Sequence, residues 1–335
     1  MKTQEKPNPD RAVLIEIDES HQDQRLDNFL CSLCKGVPKS HVFRIIRSGE
    51  VRINRKRAEA KTKLCIGDVV RVPPIQVLEK QSFEFIPSSS TLSKVQLLKS
   101  AADIPILFED DHLLVVNKPS GMAVHGGSGS SFGLIECIRA LRAETHKDLE
   151  LVHRIDRETS GILIVSKKRS ALRILQEQLR ARSWKKYYQT LVLGNWPLSL
   201  KQVDLPLLKT NTGEKEARVF VDESGDKACT KFKIIQAYKS AYSSFTLIQA
   251  QILTGRTHQI RVHTSANKFP IAGDDRYGNF EMNKQLARNG LKRMFLHAAR
   301  LQLIHPATNE TIVLEAPLAP ELASFLKSLQ AVDSK

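Results

Sequence analysis

Pro73-Pro74, followed by Pro87-Ser88-Ser89-Ser90, constrains this 335-residue chain more than any other feature. Proline lacks the backbone N–H that a helix or sheet interior needs, so no single regular element runs through this stretch. The chain therefore folds as two unequal units. On this reading residues 1–23 form an N-terminal extension, 24–84 a small first unit, 85–103 a linker and 104–330 a large second unit.

In the small unit, Leu26, Phe29, Leu30 and Leu33 recur at i, i+3, i+4 and i+7, which predicts one apolar helix face. Gly36, Val37 and Pro38 break it. Ser40 is placed to cap a second helix that turns Val42, Ile45 and Ile46 inward, and Gly49 suits a left-handed stop after it. Glu50 to Asn54 alternates polar and apolar residues like a half-buried strand, and Gly67 to Val72 supplies another. Two helices on a small sheet are expected.

The formal charge of the chain is +15. About half of it falls within residues 24–80, where 13 Lys or Arg face 5 Asp or Glu. Such an excess favours a polyanionic partner, through phosphate attraction and counterion release. Lys39, Arg44, Arg47, Arg52, Arg55, Lys56 and Arg57 are the candidate RNA contacts. A solvated surface explains any one of them; their clustering argues for phosphate. No apolar run approaches the ~20 residues that span a bilayer, so a cytoplasmic location and no membrane partner are expected. The five cysteines are odd in number and scattered, as in a protein of reduced thiols, and Cys31-Ser32-Leu33-Cys34 has no second pair to complete a zinc site.

The large unit reads as strands at 106–110, 112–118, 161–165, 187–193, 231–235, 245–253 and 295–304, with helical patterns near 133–143, 170–182 and 257–267. Strands in blocks with irregularly placed helices predict an α+β fold, not a regular βαβ array.

Two segments carry reactive side chains. His153-Arg154-Ile155-Asp156-Arg157-Glu158-Thr159-Ser160-Gly161 is a polar loop ahead of an apolar strand. Taken alone it reads equally well as a turn whose Asp156, Thr159 and Ser160 bond local amides. A Ser-His-Asp triad within it is disfavoured, because triads assemble from separate elements. The second segment, Leu253 to His263, crowds polar groups at a strand-to-helix junction. Its His258 and His263 are five apart and do not share a helical face, so they suit hydrogen bonding and no metal is expected. Gly126-Gly127-Ser128-Gly129 lacks the Gly-Lys-Ser/Thr ending of a phosphate loop.

Read together, His153 to Gly161, Asn117-Lys118-Pro119-Ser120-Gly121-Met122, Lys186-Tyr187-Tyr188, Gly255 to Arg261 and Leu296-His297-Ala298 resemble the RluA family of pseudouridine synthases. Arg25-Leu26-Asp27-Asn28-Phe29-Leu30, Pro38-Lys39-Ser40 and Ile46 to Asn54 resemble an S4 RNA-binding domain. The resemblance covers nearly the whole chain. It implies a mixed, mainly antiparallel catalytic sheet and isomerisation of uridines in large-subunit (23S) ribosomal RNA or its assembly precursor, by a monomer without a cofactor.

It also implies roles. Asp156 would attack C1′ or remove the 2′ proton; Arg154 would hold the space left by the flipped nucleotide. Tyr188 would stack on the base and help remove the C5 proton, Arg256 would pair with Asp156, and Leu296 would close the apolar side of the uracil pocket. Two alternatives stand beside this reading. One is a non-catalytic RNA-binding or ribosome-assembly protein; the other is a base-releasing glycosidase, which would ordinarily need a second carboxylate.

Overall fold

The structure is a computed structural model that describes residues 7–18, 21–34, 37–75, 101–126, 133–143, 149–210 and 218–332. It divides into two compact units, Met1–Ser88 and Ser89–Lys335. Residues 85–100 of the expected linker and residues 127–129 of the glycine run lie outside the described residues.

The first unit contains β1 (Val13–Glu16), α1 (Leu26–Leu33), α2 (Lys39–Ser48), β2 (Arg52–Ile53), β3 (Lys56–Arg57) and β4 (Val69–Val72). Its antiparallel sheet has the order β1-β4-β2-β3. Leu26, Phe29 and Leu30 of α1 and Val42, Ile45 and Ile46 of α2 are buried in one core with Val70 and Val72, as the helical spacing predicts. Gly49 follows α2 at φ +78°, the left-handed stop. Ser40 does not cap α2. The helix begins at Lys39 behind Pro38, whose φ of −57° already suits entry to a helix, and no side-chain cap forms.

Strand β1 falls inside the segment read as an extension. Its pairing from Val13 with Val72 to Glu16 with Val69 ties that segment to the small sheet. Between β2 and β3 the chain turns through Asn54 and Arg55, both left-handed at φ 50° and 69°. Two such residues are what a two-residue hairpin turn matching the strand twist requires. Asn54 is locked by bonds to the Asp68 carboxylate (2.7 Å) and from the Val69 amide (2.9 Å).

The second unit runs β5 (Ile106–Glu109), β6 (Leu113–Lys118), α3 (Leu134–Leu141), β7 (Glu150–Leu151), β8 (Ser160–Ser166), α4 (Arg169–Arg180) and β9 (Lys185–Leu193). It continues with β10 (Gln202–Asp204), β11 (Leu207–Thr210), β12 (Arg218–Val221), β13 (Cys229–Lys239), β14 (Ser244–Ile252) and α5 (Gln259–Ala266). Last come α6 (Phe280–Arg288), β15 (Leu296–Ile304), β16 (Thr311–Glu315), α7 (Pro320–Lys327) and β17 (Gln330–Val332).

The central sheet has the order β10-β13-β14-β9-β15-β8-β6-β5. Its pairings are antiparallel except that of β15 with β8, where His297 and Ala298 lie beside Ser160 and Gly161. That parallel contact decides where the site forms. It brings the loop before β8 and the start of β15 to the same end of the sheet. Gly161 permits the approach: its φ is +112°, and a Cβ there would stand 2.3 Å from the Ala298 carbonyl oxygen. The α+β expectation and the placement of the main strands agree with this architecture. The hairpin β11–β12, the helices α6 and α7 and the late strands β16 and β17 were not read from sequence.

Candidate active site

The loop 153–159 enters β8 and is held from below by the turn after β6. Lys118 is fully buried, and its Nζ donates to the carbonyls of Pro119 (2.8 Å), Met122 (2.8 Å) and Arg157 (3.0 Å). Three acceptors match the three N–H groups of an ammonium, while burial pulls its pKa down to about 7. Ser120 Oγ donates to the Glu158 carbonyl at 2.7 Å, and the Gly121 amide and carbonyl bond the Arg157 carbonyl and Nε. Each partner is backbone or loop, so the two motif segments make one braced structure.

A second brace comes from the side of β15. Arg293 donates to Ser160 Oγ at 2.8 Å and to Glu321 at 2.8 Å. Ser160 Oγ lies 2.8 Å from His297 Nδ1, and His297 Nε2 lies 3.3 Å from the Ala316 carbonyl. The carbonyl can only accept, so Nε2 carries the proton and Nδ1 accepts from Ser160. The imidazole is neutral, consistent with burial pushing its pKa down to about 4. Ser160 thus pairs with His297. His153 instead accepts from the Ile164 amide at 3.1 Å, and no triad exists within the loop.

Above these braces Asp156 opens into a cavity of about 400 Å³. Its carboxylate, 26% exposed, faces Arg261 Nη1 at 3.8 Å and His258 Nε2 at 4.0 Å. Arg261 is fixed from behind by Asp274, which accepts from its Nε and Nη2 at 2.8 Å each. Asp274 Oδ1 also accepts from the amides of Arg276 and Tyr277, and the Tyr277 ring lies 5.0 Å from the guanidinium. His258 is held through Nδ1 by the Tyr277 hydroxyl at 2.8 Å. The Val219 amide donates to that same hydroxyl at 3.3 Å, which fixes Tyr277 and, through it, the ring that turns Nε2 toward Asp156.

Arg256 does not pair with Asp156. It lies in the loop before α5, where its guanidinium pairs with Asp226 at 3.2 Å and donates from Nε to the Lys227 carbonyl at 3.2 Å. The charge partner expected of Arg256 is Arg261, five residues on and already within the helix. The Arg256 loop is itself held by Gln259, whose Oε1 accepts from Thr254 Oγ1 (2.7 Å) and the Arg256 amide (3.0 Å). Gln259 Nε2 donates to the Cys229 carbonyl and Thr230 Oγ1, and Thr230 bonds His263. Both histidines of this motif are hydrogen-bonding residues, as expected.

Tyr188 on β9 and Leu296 on β15 line the cavity. Tyr188 pairs with Ala298 and Leu296 with Thr190, so the two are diagonal neighbours on one sheet face. Burial, and then the Asp156 charge, push the Tyr188 phenol up. Arg154 is exposed and lines the same cavity, together with Arg182, which no motif marks, and Lys186, which opens the Lys186-Tyr187-Tyr188 motif without an expected role. Asp156, Arg154, Tyr188, Leu296 and Arg256 are thus gathered around one cavity.

In the small unit Lys39, Arg44, Arg47, Arg52, Arg55, Lys56 and Arg57 are all exposed. Arg47 and Arg57 border a hollow that also contains Phe43, and Arg52 and Arg55 border another on the sheet side. Among the described residues no group of three or more His, Cys, Asp or Glu is arranged to hold a metal, and no helix is long and apolar enough to cross a membrane.

Comparison with known proteins supplies the context for this geometry. The model of the RNA pseudouridylate synthase family matches residues 112–266, and that of the S4 domain matches residues 24–70. The chain is 51% identical over 320 residues to the ribosomal large subunit pseudouridine synthase C of Vibrio vulnificus (strain CMCP6), covering 96% of this chain and 97% of that one. With its namesake from Escherichia coli (strain K12) it shares 51% over 322 residues, again 96% and 97% of the two chains. The structure of human RNA pseudouridylate synthase domain containing 4 shares the fold, with a TM-score of 0.57 at 24% identity, covering 72% of this chain and 100% of that one.

Proposed function

The chain belongs to the RNA pseudouridylate synthase family and carries an S4 domain, and from that premise we propose that it isomerises uridines of large-subunit ribosomal RNA, with Asp156 as its catalytic carboxylate. The observation that carries the assignment to Asp156 is its position: among the described residues it is the one carboxylate lining the cavity, and it is faced by the braced side chains of Arg261 and His258.

The reaction breaks the N1–C1′ bond, turns the uracil and joins C5 to C1′, so no atom is gained or lost. A stacked uridine cannot reach the cavity, and flipping it out costs a few kcal/mol. Arg154, exposed at the cavity, takes the place vacated in the RNA. Asp156 then acts on the ribose, by attack on C1′ or by removal of the 2′ proton; both routes use the same carboxylate. Tyr188 and Leu296, adjacent on one sheet face, form a platform against which the freed uracil rotates without escaping. Arg261 and His258 orient the carboxylate, and Arg256, tied to Asp226, shapes the loop beside it. The exposed cations of the S4 domain hold the surrounding RNA by its phosphates.

Pseudouridine mapping of ribosomal RNA from cells with and without the gene tests this reading and names the target. Complementation with Asp156→Asn is expected to leave RNA binding intact and the map empty at those positions. A map unchanged by loss of the gene would favour a purely RNA-binding role, and free uracil in place of isomerised product would favour a glycosidase.

A further inference from the structure

The charges around the Asp156 cavity do not balance. Arg261 is matched by Asp274 and Asp156, and Arg256 by Asp226. Lys186 and Arg182 line the same cavity, and among the described residues neither forms an ion pair with a carboxylate.

Lys186 lies on β9 two residues before Tyr188, and burial alone brings its ammonium down to about 8. Across the sheet it is flanked by Ile252 and Leu301. The Nζ sits 5.3 Å from the centre of the Trp184 ring. Trp184 stacks edge-on against His153, which burial and then the Lys186 charge push down to about 3, hence neutral at pH 7. A half-buried cation without a counterion is costly and is usually answered by an anion from elsewhere.

Arg182 lies four residues earlier, in the tight turn between α4 and β9. Its φ of 55° is one that arginine rarely adopts. The turn is held by the Arg182 amide on the Leu179 carbonyl (3.1 Å) and by the Trp184 Nε1–H on Gln178 Oε1 (3.0 Å). Gln178 is in turn fixed to the Ile304 carbonyl at 2.8 Å. The turn therefore presents an exposed guanidinium on a rigid base beside the cavity.

We propose that Lys186 and Arg182 form a phosphodiester-binding subsite that grips the RNA backbone adjoining the flipped nucleotide. The inference rests on the RNA-modifying reading above. A phosphodiester fits because each nucleotide brings one singly charged group with two free oxygens, enough for an ammonium and a guanidinium together. It is distinct from the S4 contacts, because it acts on the target strand at the cavity itself.

The test uses the full-length protein and a ribosomal RNA stem-loop carrying the mapped uridine. Lys186→Gln and Arg182→Gln are each expected to weaken RNA binding about tenfold and to lower the salt dependence of binding by roughly one phosphate contact. Lys185→Gln, an exposed neighbour on the same strand, is the control and should change neither. Replacing single phosphates flanking the uridine by uncharged methylphosphonates should reproduce the loss at one position in the unaltered protein and cost nothing further in the variants. Variants that bind with unaltered affinity and salt dependence, or that lose equally to every methylphosphonate, would overturn the subsite. An unaltered protein that makes no pseudouridine would instead overturn the underlying reading. Arg182 is exposed and Lys186→Gln removes an uncompensated charge, so both variants are expected to fold.

Discussion

Asp274 holds Arg261 through two parallel 2.8 Å hydrogen bonds, and this buried pair sets where the guanidinium can meet the cavity. Only Nη1 is left to face Asp156. Asp274→Asn leaves a buried cation half-matched and is expected to cost about 3–5 kcal/mol of stability, read by urea denaturation. Arg261→Lys keeps the charge but not the fork, and should lower the single-turnover rate about 100-fold by misplacing the group near Asp156.

Asp156 itself contributes little to the fold. Its carboxylate contacts are long, 3.8 and 4.0 Å, and among the described residues its side chain makes no hydrogen bond within the protein. Asp156→Asn should therefore unfold within about 0.5 kcal/mol of the unaltered protein while losing all isomerisation. A large drop in melting temperature would reassign Asp156 to a structural role.

Tyr188→Phe separates the ring from its hydroxyl. The ring should still support the base, so RNA affinity is expected to stay the same. Loss of the proton-transfer group should slow conversion by about 10²- to 10⁴-fold. An equally active Phe variant would confine Tyr188 to stacking.

Acid should loosen the brace at His297. Burial lowers its pKa from an ordinary 6.5 to about 4, so the unfolded chain binds the extra proton within that window. The stabilising contribution is present above pH 6.5 and is lost as pH falls through 4, on the order of 3 kcal/mol in all. His297→Gln can still accept from Ser160 and donate to Ala316 but does not titrate. Its stability should fall less between pH 7 and pH 4 in parallel thermal melts.

In the S4 domain, Arg47→Ala and Lys56→Ala together should reduce the slope of log affinity against log salt by about 2, with little change in conversion at saturating RNA. Filter binding over a salt series measures it.

Much of this was legible in sequence because periodicity reports burial directly. The i, i+3, i+4 pattern of Leu26, Phe29 and Leu30 and the alternation around Val70 appear in the core as read. Val13–Glu16 carries the same alternation, but its partner strand lies more than 50 residues on, so nothing local marks it as part of the sheet. Arg256 and Arg261 share one motif, and spacing could not tell which reaches Asp156. The answer depends on His258 turning left-handed at φ 53° to start α5, and on Asp274, which no motif marks. Pairings that depend on distant segments, such as Ser160 with His297, leave no local pattern.

The insertion of β15 between β9 and β8 has a consequence for when the enzyme can first exist. A nascent chain that has passed residue 266 already carries Asp156, Tyr188, His258 and Arg261, yet it lacks the strand that joins β9 to β8 across the middle of the sheet. Synthesis through Ile304 is what turns two groups of strands into one catalyst. A chain that ends before Leu296 is therefore expected to lack one wall of the cavity and with it the isomerising activity.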